Sequence, residues 1–273
     1  MSFKKILPYI LASLLLIFLV GMVQSPRSLI KSKSSNRQVH AQSENNDYFY
    51  LPVGSVNVSS LTMIDYASVI GKFITQNYTR VLQQTGLPLT IPFEWESPYF
   101  AAFAKKNSDS MQISIWGGMA RAPGATPGAL TAVLCHELGH ILGGEPLQTI
   151  PGADWASAEG QSDFFAASQC LPDLLKKYPD LITNIDPQVE KLCGENRDCA
   201  RTMQAGLEMM RLLQKYSYRD YVPVSLEVSE KPAADLIRNS YPSDQCRMDT
   251  YVQGALCQLG GSCRAPVCWF PEK

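Results

Sequence analysis

Histidine is scarce in this chain: its 273 residues include only three, at positions 40, 136 and 140. A di-iron carboxylate site built from two E-x-x-H motifs is therefore excluded, because too few histidines remain for a second motif. The sequence also lacks any C-x-x-C pair, which argues against a zinc knuckle. No internal repeat is present, and the length fits one domain of about 230 residues behind an N-terminal segment.

Excess positive charge is absent as well, once the N-terminus is set aside. The chain holds 24 basic and 25 acidic residues, and residues 1–41 contain six of the basic residues and none of the acidic ones. The remainder therefore has 18 basic against 25 acidic residues, a net charge of −7. An acidic body of this kind argues against nucleic acid as a partner.

One long apolar run covers residues 6–23, directly after Lys4 and Lys5. The pattern is typical of a signal peptide or a membrane anchor, although a usual membrane span takes about 20 residues. No cysteine follows closely, so a lipoprotein anchor is not expected. We predict export to the periplasm or the exterior, with either cleavage near Ala41 or anchoring by residues 6–23, and a polar linker over residues 24–47. Membrane contact is expected only through this segment, if it is uncleaved.

All eight cysteines follow the apolar run, at positions 135, 170, 193, 199, 246, 257, 263 and 268. An even number behind a signal-like N-terminus predicts disulfides formed in an oxidising compartment. Cys193 and Cys199 enclose five residues and are expected to close a small loop. The last four predict a stapled C-terminal segment. The remaining pairing is left open, because eight cysteines allow 105 connectivities.

The stretch from Thr126 to Gly144 carries the signals of a largely buried helix. Thr126 is a suitable N-cap, and Pro127 suits the first helical position. Apolar residues fill the body, and Gly143-Gly144 supplies a C-terminal stop. The sequence therefore predicts one helix over this stretch.

His136, Glu137 and His140 form an H-E-x-x-H pattern within that helix. Positions i and i+4 lie on one helical face, so the two imidazoles are expected to converge on one metal ion. Glu137 is displaced by about 100° around the helix, from where it could act on a metal-activated water without being a ligand. A catalytic zinc takes three protein ligands and keeps one position open, so a third ligand must be found.

Glu159 is the best candidate for that ligand, and Asp163 follows it on the same helical face. An Asp at this place is expected to accept a hydrogen bond from the far nitrogen of a ligating histidine. The residues from Thr126 to Asp163 resemble the gluzincin zinc metallopeptidases, thermolysin-like enzymes among them, whose pattern is H-E-x-x-H on one helix and E-x-x-x-D on the next. The third histidine of the metzincin pattern would fall at Pro146, which excludes a three-histidine site.

The resemblance implies an exported peptidase with one Zn²⁺ per chain and a peptide or protein as substrate. Glu137 would be the general base, and residues 48–273 would form a zincin-like domain. The alternative is a catalytically inactive, exported zincin-like binding protein with a structural zinc. Such a zinc would need a fourth protein ligand, and the nearest spare carboxylates are Glu145 and Asp154.

Peptide hydrolysis also needs a hydrogen-bond donor for the oxyanion that develops in the transition state. The resemblance implies a His and a Tyr in this role, but no histidine remains here. Tyr241, Arg247 and Tyr251 are the candidates, with core packing or surface charge as their alternative roles.

The periodicity of apolar residues predicts an α+β fold: an N-terminal helix, a small antiparallel sheet with an edge strand, the metal helix, and a mainly helical C-terminal part. The first helix is expected over residues 60–84. Strands are expected over residues 89–95, 99–104 and 111–116. The helix that carries Glu159 is expected to end at Leu171-Pro172, and later helices are expected over residues 187–192, 198–216, 232–239 and 244–259.

An open strand edge can bind the backbone of an extended peptide. By position, the stretch that precedes the metal helix is predicted to be this substrate strand; it comprises Ile113, Ser114, Ile115, Trp116, Gly117 and Gly118. The alternative is an ordinary hairpin with a glycine-rich exit. Arg121, just beyond, could pair with a substrate carboxylate or be solvated.

Overall fold

The computed structural model describes residues 49–216, 222–228, 231–260 and 263–271. The predicted signal or anchor, the cleavage position, the linker and His40 lie outside the described residues. In the part of the chain that is described, every helix is too short or too polar to cross a membrane.

The first helix, α1, spans Met63–Thr85, close to the predicted 60–84. It begins there because Thr62 and Asp65 form a capping box: the Asp65 N–H donates to the Thr62 hydroxyl at 3.2 Å, and the Thr62 N–H donates to the Asp65 carboxylate at 2.8 Å. It ends where Gly86 adopts a left-handed φ of 72°. The buried stripe of α1 includes Tyr66, Val69, Ile70 and Phe73.

Three strands form one small sheet: β1 at Leu89–Thr90, β2 at Ala102–Lys106 and β3 at Met111–Ile115, in the order β1-β3-β2. β2 pairs antiparallel with β3, and β1 pairs parallel with β3. The sheet is therefore mixed, and the prediction of a purely antiparallel sheet was wrong. The predicted 89–95 strand is only two residues long, because Pro92 cannot donate a ladder hydrogen bond and the chain turns away.

Two helices follow the sheet and carry the candidate site. After the short helix α2, Gly117–Arg121, helix α3 spans Pro127–Leu142, and its residues from Gly128 to His140 are all buried. Thr126 caps α3 as predicted, with its hydroxyl accepting from the Ala129 N–H at 2.9 Å. Helix α4 spans Glu159–Phe165 and packs against α3. The metal helix is thus the central helix of the fold.

The helical run that starts with α4 does not end at Leu171-Pro172, and that prediction was wrong. It continues through a π-helical segment, Ala166–Cys170, into α5, Leu171–Lys177. The Leu171 N–H donates to the carbonyl of Ala166, five residues back. Pro172 has no N–H for the carbonyl of Ser168, which instead accepts from the Gln258 side chain at 3.3 Å. The run passes the proline because these groups are satisfied in another way.

The rest of the described chain is mainly helical, as predicted. It contains a 3₁₀ turn at Pro179–Leu181, α6 at Pro187–Cys193, α7 at Arg197–Lys215, α8 at Asp244–Leu256 and a 3₁₀ turn at Cys257–Leu259. The predicted 232–239 helix is not formed, because Ala233 and Ile237 donate their N–H groups to Val267 and Trp269 at 2.9 and 3.0 Å. Mixed α and β content, segregated along the chain, confirms the α+β class.

All eight cysteines are paired, as Cys135–Cys170, Cys193–Cys199, Cys246–Cys268 and Cys257–Cys263. The predicted small loop and the stapled C-terminal segment are confirmed. The first pair was not predicted; it joins α3 to the π-helical segment behind α4. Four disulfides are typical of a protein that folds in an oxidising compartment.

Candidate metal centre

The site begins with a close crossing of α3 and α4. Within H-E-x-x-H, Leu138 is fully buried in the core, whereas Gly139 faces α4. A Cβ at position 139 would lie 2.6 Å from the Cα of Ser162, closer than real side chains allow. The glycine of the motif therefore lets α4 approach until Glu159 and Asp163, which flank Ser162, reach the two histidines.

His136, His140 and Glu159 come together as predicted. Their ligand atoms all lie within 4.8 Å of one another. The Glu159 Oε2 atom is 3.2 Å from Nε2 of His136 and 3.7 Å from Nε2 of His140. Tetrahedral bonds of about 2.1 Å place neighbouring ligand atoms about 3.4 Å apart. The three buried side chains thus form a group that could hold a metal ion.

Hydrogen bonds on the far side of each imidazole orient both rings. Nδ1 of His136 lies 2.7 Å from Oδ1 of Asp163, and Nδ1 of His140 lies 2.9 Å from the carbonyl oxygen of Ser157. A carbonyl and a carboxylate can only accept, so Nδ1 of each ring is the donor. In the neutral rings the Nε2 lone pairs are then left to point at Glu159, which is what metal ligation requires.

One buried oxygen at the site lacks a hydrogen-bond partner. Oε2 of Glu159 faces the two Nε2 atoms and accepts no hydrogen bond when both imidazoles are neutral. A protonated His136 would direct its Nε2–H at this oxygen, 3.2 Å away. A buried carboxylate oxygen without a partner is costly, and a cation among these three atoms would satisfy it. Burial alone would raise the pKa of Glu159, but the adjacent His140 and His136 lower it to about 2.

The buried charges of the site also fit a divalent cation. Glu137, Glu159, Asp163 and Arg247 are each at most 7% exposed, and these three carboxylates and one guanidinium have a formal charge of −2. Burial by itself would lower the pKa of His136, yet the Asp163 and Glu159 carboxylates outweigh it and raise that pKa to about 10. In the absence of a metal, a proton on His136 therefore offsets part of the negative charge that a divalent ion would offset fully.

Arg247 is used for support and not for the oxyanion role that the sequence suggested. Its Nε donates to Oδ2 of Asp163 at 2.7 Å and its Nη2 donates to Oδ1 at 2.9 Å. Burial would lower the pKa of Arg247, but Asp163 beside it raises that pKa further above its ordinary range. A series of hydrogen bonds thus runs from the candidate ligand His136 to Asp163 and on to Arg247.

Of the two tyrosines in the same prediction, only Tyr241 is partly exposed. Tyr251 is fully buried, and its hydroxyl donates to Sδ of Met209 at 3.6 Å. Tyr241 keeps 37% of its surface exposed, and its ring lies 5.3 Å from the Arg247 guanidinium. Burial of its hydroxyl, with the negative charge of Glu159, raises the pKa of Tyr241 well above its ordinary value. Tyr241 is therefore a protonated donor at neutral pH.

The segment that leads to Tyr241 is attached to the loop between α3 and α4. Nη1 of Arg238 donates to the carbonyl oxygen of Leu147 at 2.7 Å, and the N–H of Thr149 donates to Oδ1 of Asn239 at 2.8 Å. These two contacts hold the segment beside the metal centre.

The stretch predicted to be a substrate strand, residues 113–118, does not lie on an edge strand of the sheet, although β1 pairs only with Met111 and Gln112. β3 is the central strand, and Ile113, Ser114 and Ile115 are buried. Where β1 ends, the Tyr66 hydroxyl donates to the carbonyl oxygen of Ile115 at 2.6 Å. Residues 117 and 118 belong to α2, and their N–H groups already donate to backbone carbonyls upstream. Within the described residues, the sheet edge that packs near α3 is β2.

Arg121 has no free guanidinium for a substrate. It is 4% exposed, and Nε, Nη1 and Nη2 donate to the backbone carbonyls of Leu51, Trp95 and Ser97 at 2.7, 2.6 and 2.8 Å. Its role is structural, because it links two separate stretches of irregular backbone, one at Leu51 and one at residues 95–97.

Sequence reasoning missed two supports of the metal helix. Ser157 orients His140 through its carbonyl oxygen, which leaves no side-chain signal. Glu208 on α7 accepts from the Thr126 hydroxyl and from Gln204 Nε2, and so lies at the positive N-terminal end of α3. Burial raises the pKa of Glu208. Only the packing of α7 against α3 brings this carboxylate to the helix.

Comparisons of the chain with protein-family models, with curated proteins and with solved structures find no match. The chemistry of the site is therefore argued from its own geometry.

Proposed function

We propose that the protein is an exported zinc metallopeptidase of the gluzincin type, with a zincin-like fold around α3 and α4. The observation that carries the proposal is the convergence of His136, His140 and Glu159, with Asp163 behind His136 and Glu137 beside it. Four residues of one sequence pattern thus lie in contact with one another, and the fifth, Glu137, is adjacent to His136 in sequence.

His136, His140 and Glu159 would hold the ion, and two imidazoles with one carboxylate are a donor set that suits zinc. Thiolate ligation is not available, because every cysteine is in a disulfide. When bound, zinc would supply Lewis acidity that activates water and polarises a carbonyl group.

The chain's own residues then divide the remaining work. Glu137 is buried and adjacent to His136 in sequence, and it would take a proton from water and pass it to the leaving amine. Tyr241 would donate a hydrogen bond to the developing oxyanion, because the raised pKa keeps its hydroxyl protonated. Asp163 keeps His136 in the ligating tautomer.

The alternative, an inactive binding protein with a structural zinc, needs a fourth ligand. Among the described residues, the group of potential ligands has three members. The carboxylate of Glu145, one of the spare candidates, accepts from the Leu147 N–H at 2.9 Å and lies 3.8 Å from Arg238. A group of three potential ligands fits a catalytic centre better than a closed site with four.

The test combines metal content with turnover. The full chain, purified with its disulfides intact, is expected to contain one zinc and to cleave members of a mixed peptide library, and a chelator should abolish cleavage. Glu137→Gln should retain the zinc and lose about 10²–10⁴-fold in rate. Glu190→Gln, which changes an exposed carboxylate paired with Arg197, is the matched control and should behave as wild type.

Turnover retained by Glu137→Gln would remove the general-base role. A wild-type protein that binds one zinc and cleaves no member of the library would favour the binding protein. A chain without zinc would refute the metal centre.

A further inference from the structure

A second, small hydrophobic cluster lies apart from the main core and next to the metal centre. Its buried members are Cys246, Cys268 and Trp269, and partly buried Phe164, Leu236, Ile237 and Ala265 pack against them. Most of these residues come from the C-terminal part of the chain, but Phe164 belongs to α4, which also carries Glu159. The cluster thus connects the C-terminal segment to the helix of the third ligand.

The C-terminal segment contacts helix α4 where the Trp269 indole packs against Gly160. Trp269 is fully buried, and a Cβ at Gly160 would lie 2.6 Å from its Cγ and 2.7 Å from its Cε2. Gly160 is adjacent in sequence to Glu159. A glycine in a helix lowers helix stability by about 1 kcal/mol relative to alanine. Here the absence of a side chain at position 160 leaves the space that the indole occupies.

Glu159 has few other restraints. It is the first residue of α4, and Ala158 at the N-cap provides no side-chain hydrogen bond to the helix. Its Oε2 atom has no hydrogen-bond partner. The backbone that carries the carboxylate is therefore held by packing, with the Gly139–Ser162 contact on one side and the Trp269–Gly160 contact on the other.

Trp269 is itself held at two points. The disulfide Cys246–Cys268 joins the residue before it to the first turn of α8, next to Arg247. Its carbonyl oxygen accepts from the Ile237 N–H at 3.0 Å. The indole is thus anchored to the same helix that supplies the partner of Asp163.

We propose that Trp269 is a positioning residue for the third metal ligand: anchored by the Cys246–Cys268 disulfide, its indole presses on Gly160 and holds Glu159 at the distance from His136 and His140 that metal binding needs. This inference rests on the proposed metal centre. It adds that the C-terminal segment determines metal affinity although it contributes no ligand.

The experiment measures zinc affinity of the full chain by competition with a chromophoric chelator. Trp269→Ala is expected to lower zinc affinity by about 10–100-fold, the range for residues that orient ligands, and Trp269→Phe should recover most of it. Gly160→Ala should also lower affinity. Because a smaller side chain at 269 leaves room for the added methyl, Gly160→Ala with Trp269→Leu should bind zinc more tightly than Gly160→Ala alone.

Two controls separate positioning from general loss of stability. Phe73→Ala removes a fully buried ring from the main core and should lower the melting temperature without changing zinc affinity. Cys246→Ser with Cys268→Ser should weaken zinc binding, whereas Cys257→Ser with Cys263→Ser, in the same part of the chain, should not.

Wild-type zinc affinity in a folded Trp269→Ala protein would overturn the inference, as would an equal loss of affinity in Phe73→Ala. If Trp269→Ala does not fold, the two Gly160→Ala proteins decide, and a double variant no better than the single one refutes the contact. A wild-type chain that binds no zinc would instead overturn the metal centre itself.

Discussion

Helices α3 and α4 supply every candidate ligand, whereas the segment over residues 231–271 supplies the groups behind them. The ligand region consists of two regular helices only 16 residues apart in sequence, which meet at Gly139. The supporting region contains irregular backbone, one helix and two disulfides. Arg247 is 84 residues from Asp163 along the chain. Tyr241 and Trp269 are likewise distant in sequence from the histidines and Asp163.

The two regions also differ in how well their buried charges are compensated. In the ligand region, buried charge is only partly compensated, and Oε2 of Glu159 has no partner. In the supporting region, Arg247 makes two charge-assisted hydrogen bonds to Asp163. The comparison indicates that a metal ion would compensate charge mainly in the ligand region, and that the supports keep the ligands in place. Substitutions in the two regions should therefore separate stability from metal binding.

The largest effect on stability is expected for Arg247→Gln. It leaves Asp163 buried without its charged partner, and breaking such a pair costs about 3–5 kcal/mol. Chemical denaturation in the presence of a chelator measures this cost. Arg211→Gln, which breaks an exposed 3.1 Å pair with Asp186, is the control and should cost about 1 kcal/mol or less.

A second measurement sharpens the same test. Asp163→Asn combined with Arg247→Gln removes both charges and should be less destabilising than Arg247→Gln alone. Equal stability of Arg247→Gln and wild type would mean that the supporting region does not provide the stability assigned to it.

Glu159→Gln is expected to affect zinc binding more than stability. Zinc affinity should fall by more than the about 10–100-fold seen for residues that only orient ligands. The metal-free protein should lose some stability above about pH 4.5, because the adjacent imidazoles favour the ionised form of Glu159 in the folded chain. Calorimetric melting with and without zinc separates the two quantities. Unchanged zinc content would refute Glu159 as a ligand, and Glu190→Gln again provides the control.

A pH dependence of the metal-free protein follows from His136 and Glu159. The pKa of His136 is raised to about 10 in the folded chain, so its contribution to stability is complete below about pH 6.5 and is lost as pH rises towards 10. The pKa of Glu159 is lowered to about 2, so its contribution is present above about pH 4.5 and is lost as pH falls towards 2.

Metal-free stability should therefore be greatest between about pH 4.5 and 6.5. Melting temperatures in chelator across this range measure it, and zinc should remove the alkaline decline because it replaces the proton on His136. The decline should be absent in His136→Gln. An alkaline decline of the same size in that variant would assign it to another group.

The smallest effect is expected for Tyr241→Phe. It removes one hydrogen-bond donor while the ring stays over Arg247, so zinc affinity and stability should be unchanged. The rate of peptide cleavage should fall, by up to the about 10²–10³-fold seen when one oxyanion donor is removed. If kcat were unchanged and only KM rose by this factor, Tyr241 would contribute to substrate binding instead.

Local signals were sufficient for much of the ligand region. The Thr126 cap, the i, i+4 spacing of the histidines and the E-x-x-x-D pattern each describe neighbours on one or two helices. Their geometry follows from the helix repeat, which is the same in any protein. The prediction that Asp163 would contact a ligating histidine belongs to this group, and its 2.7 Å contact with His136 agrees with it.

Sequence reasoning failed where a backbone group could choose between partners. The 232–239 stretch has helix-compatible residues, but pairing with residues 267 and 269 replaced the helical bonds. Residues 111–115 alternate between apolar and polar side chains, as a strand does. This alternation does not indicate whether the strand is central or at an edge of the sheet. Tyr66 and β1 decided that question.

By itself, the sequence determined which residues could hold a metal ion, two histidines and a carboxylate on helical faces, and that the cysteines, even in number, could all pair. Only the tertiary structure decided which group stands behind each ligand, because a role such as that of Arg247 or Trp269 depends on where α8 and the C-terminal segment pack. Helical geometry relates residues that are only a few positions apart, so the local sequence pattern is sufficient to predict it. Packing between distant segments depends on the summed burial and pairing of the whole core, so no single pattern in the chain records it.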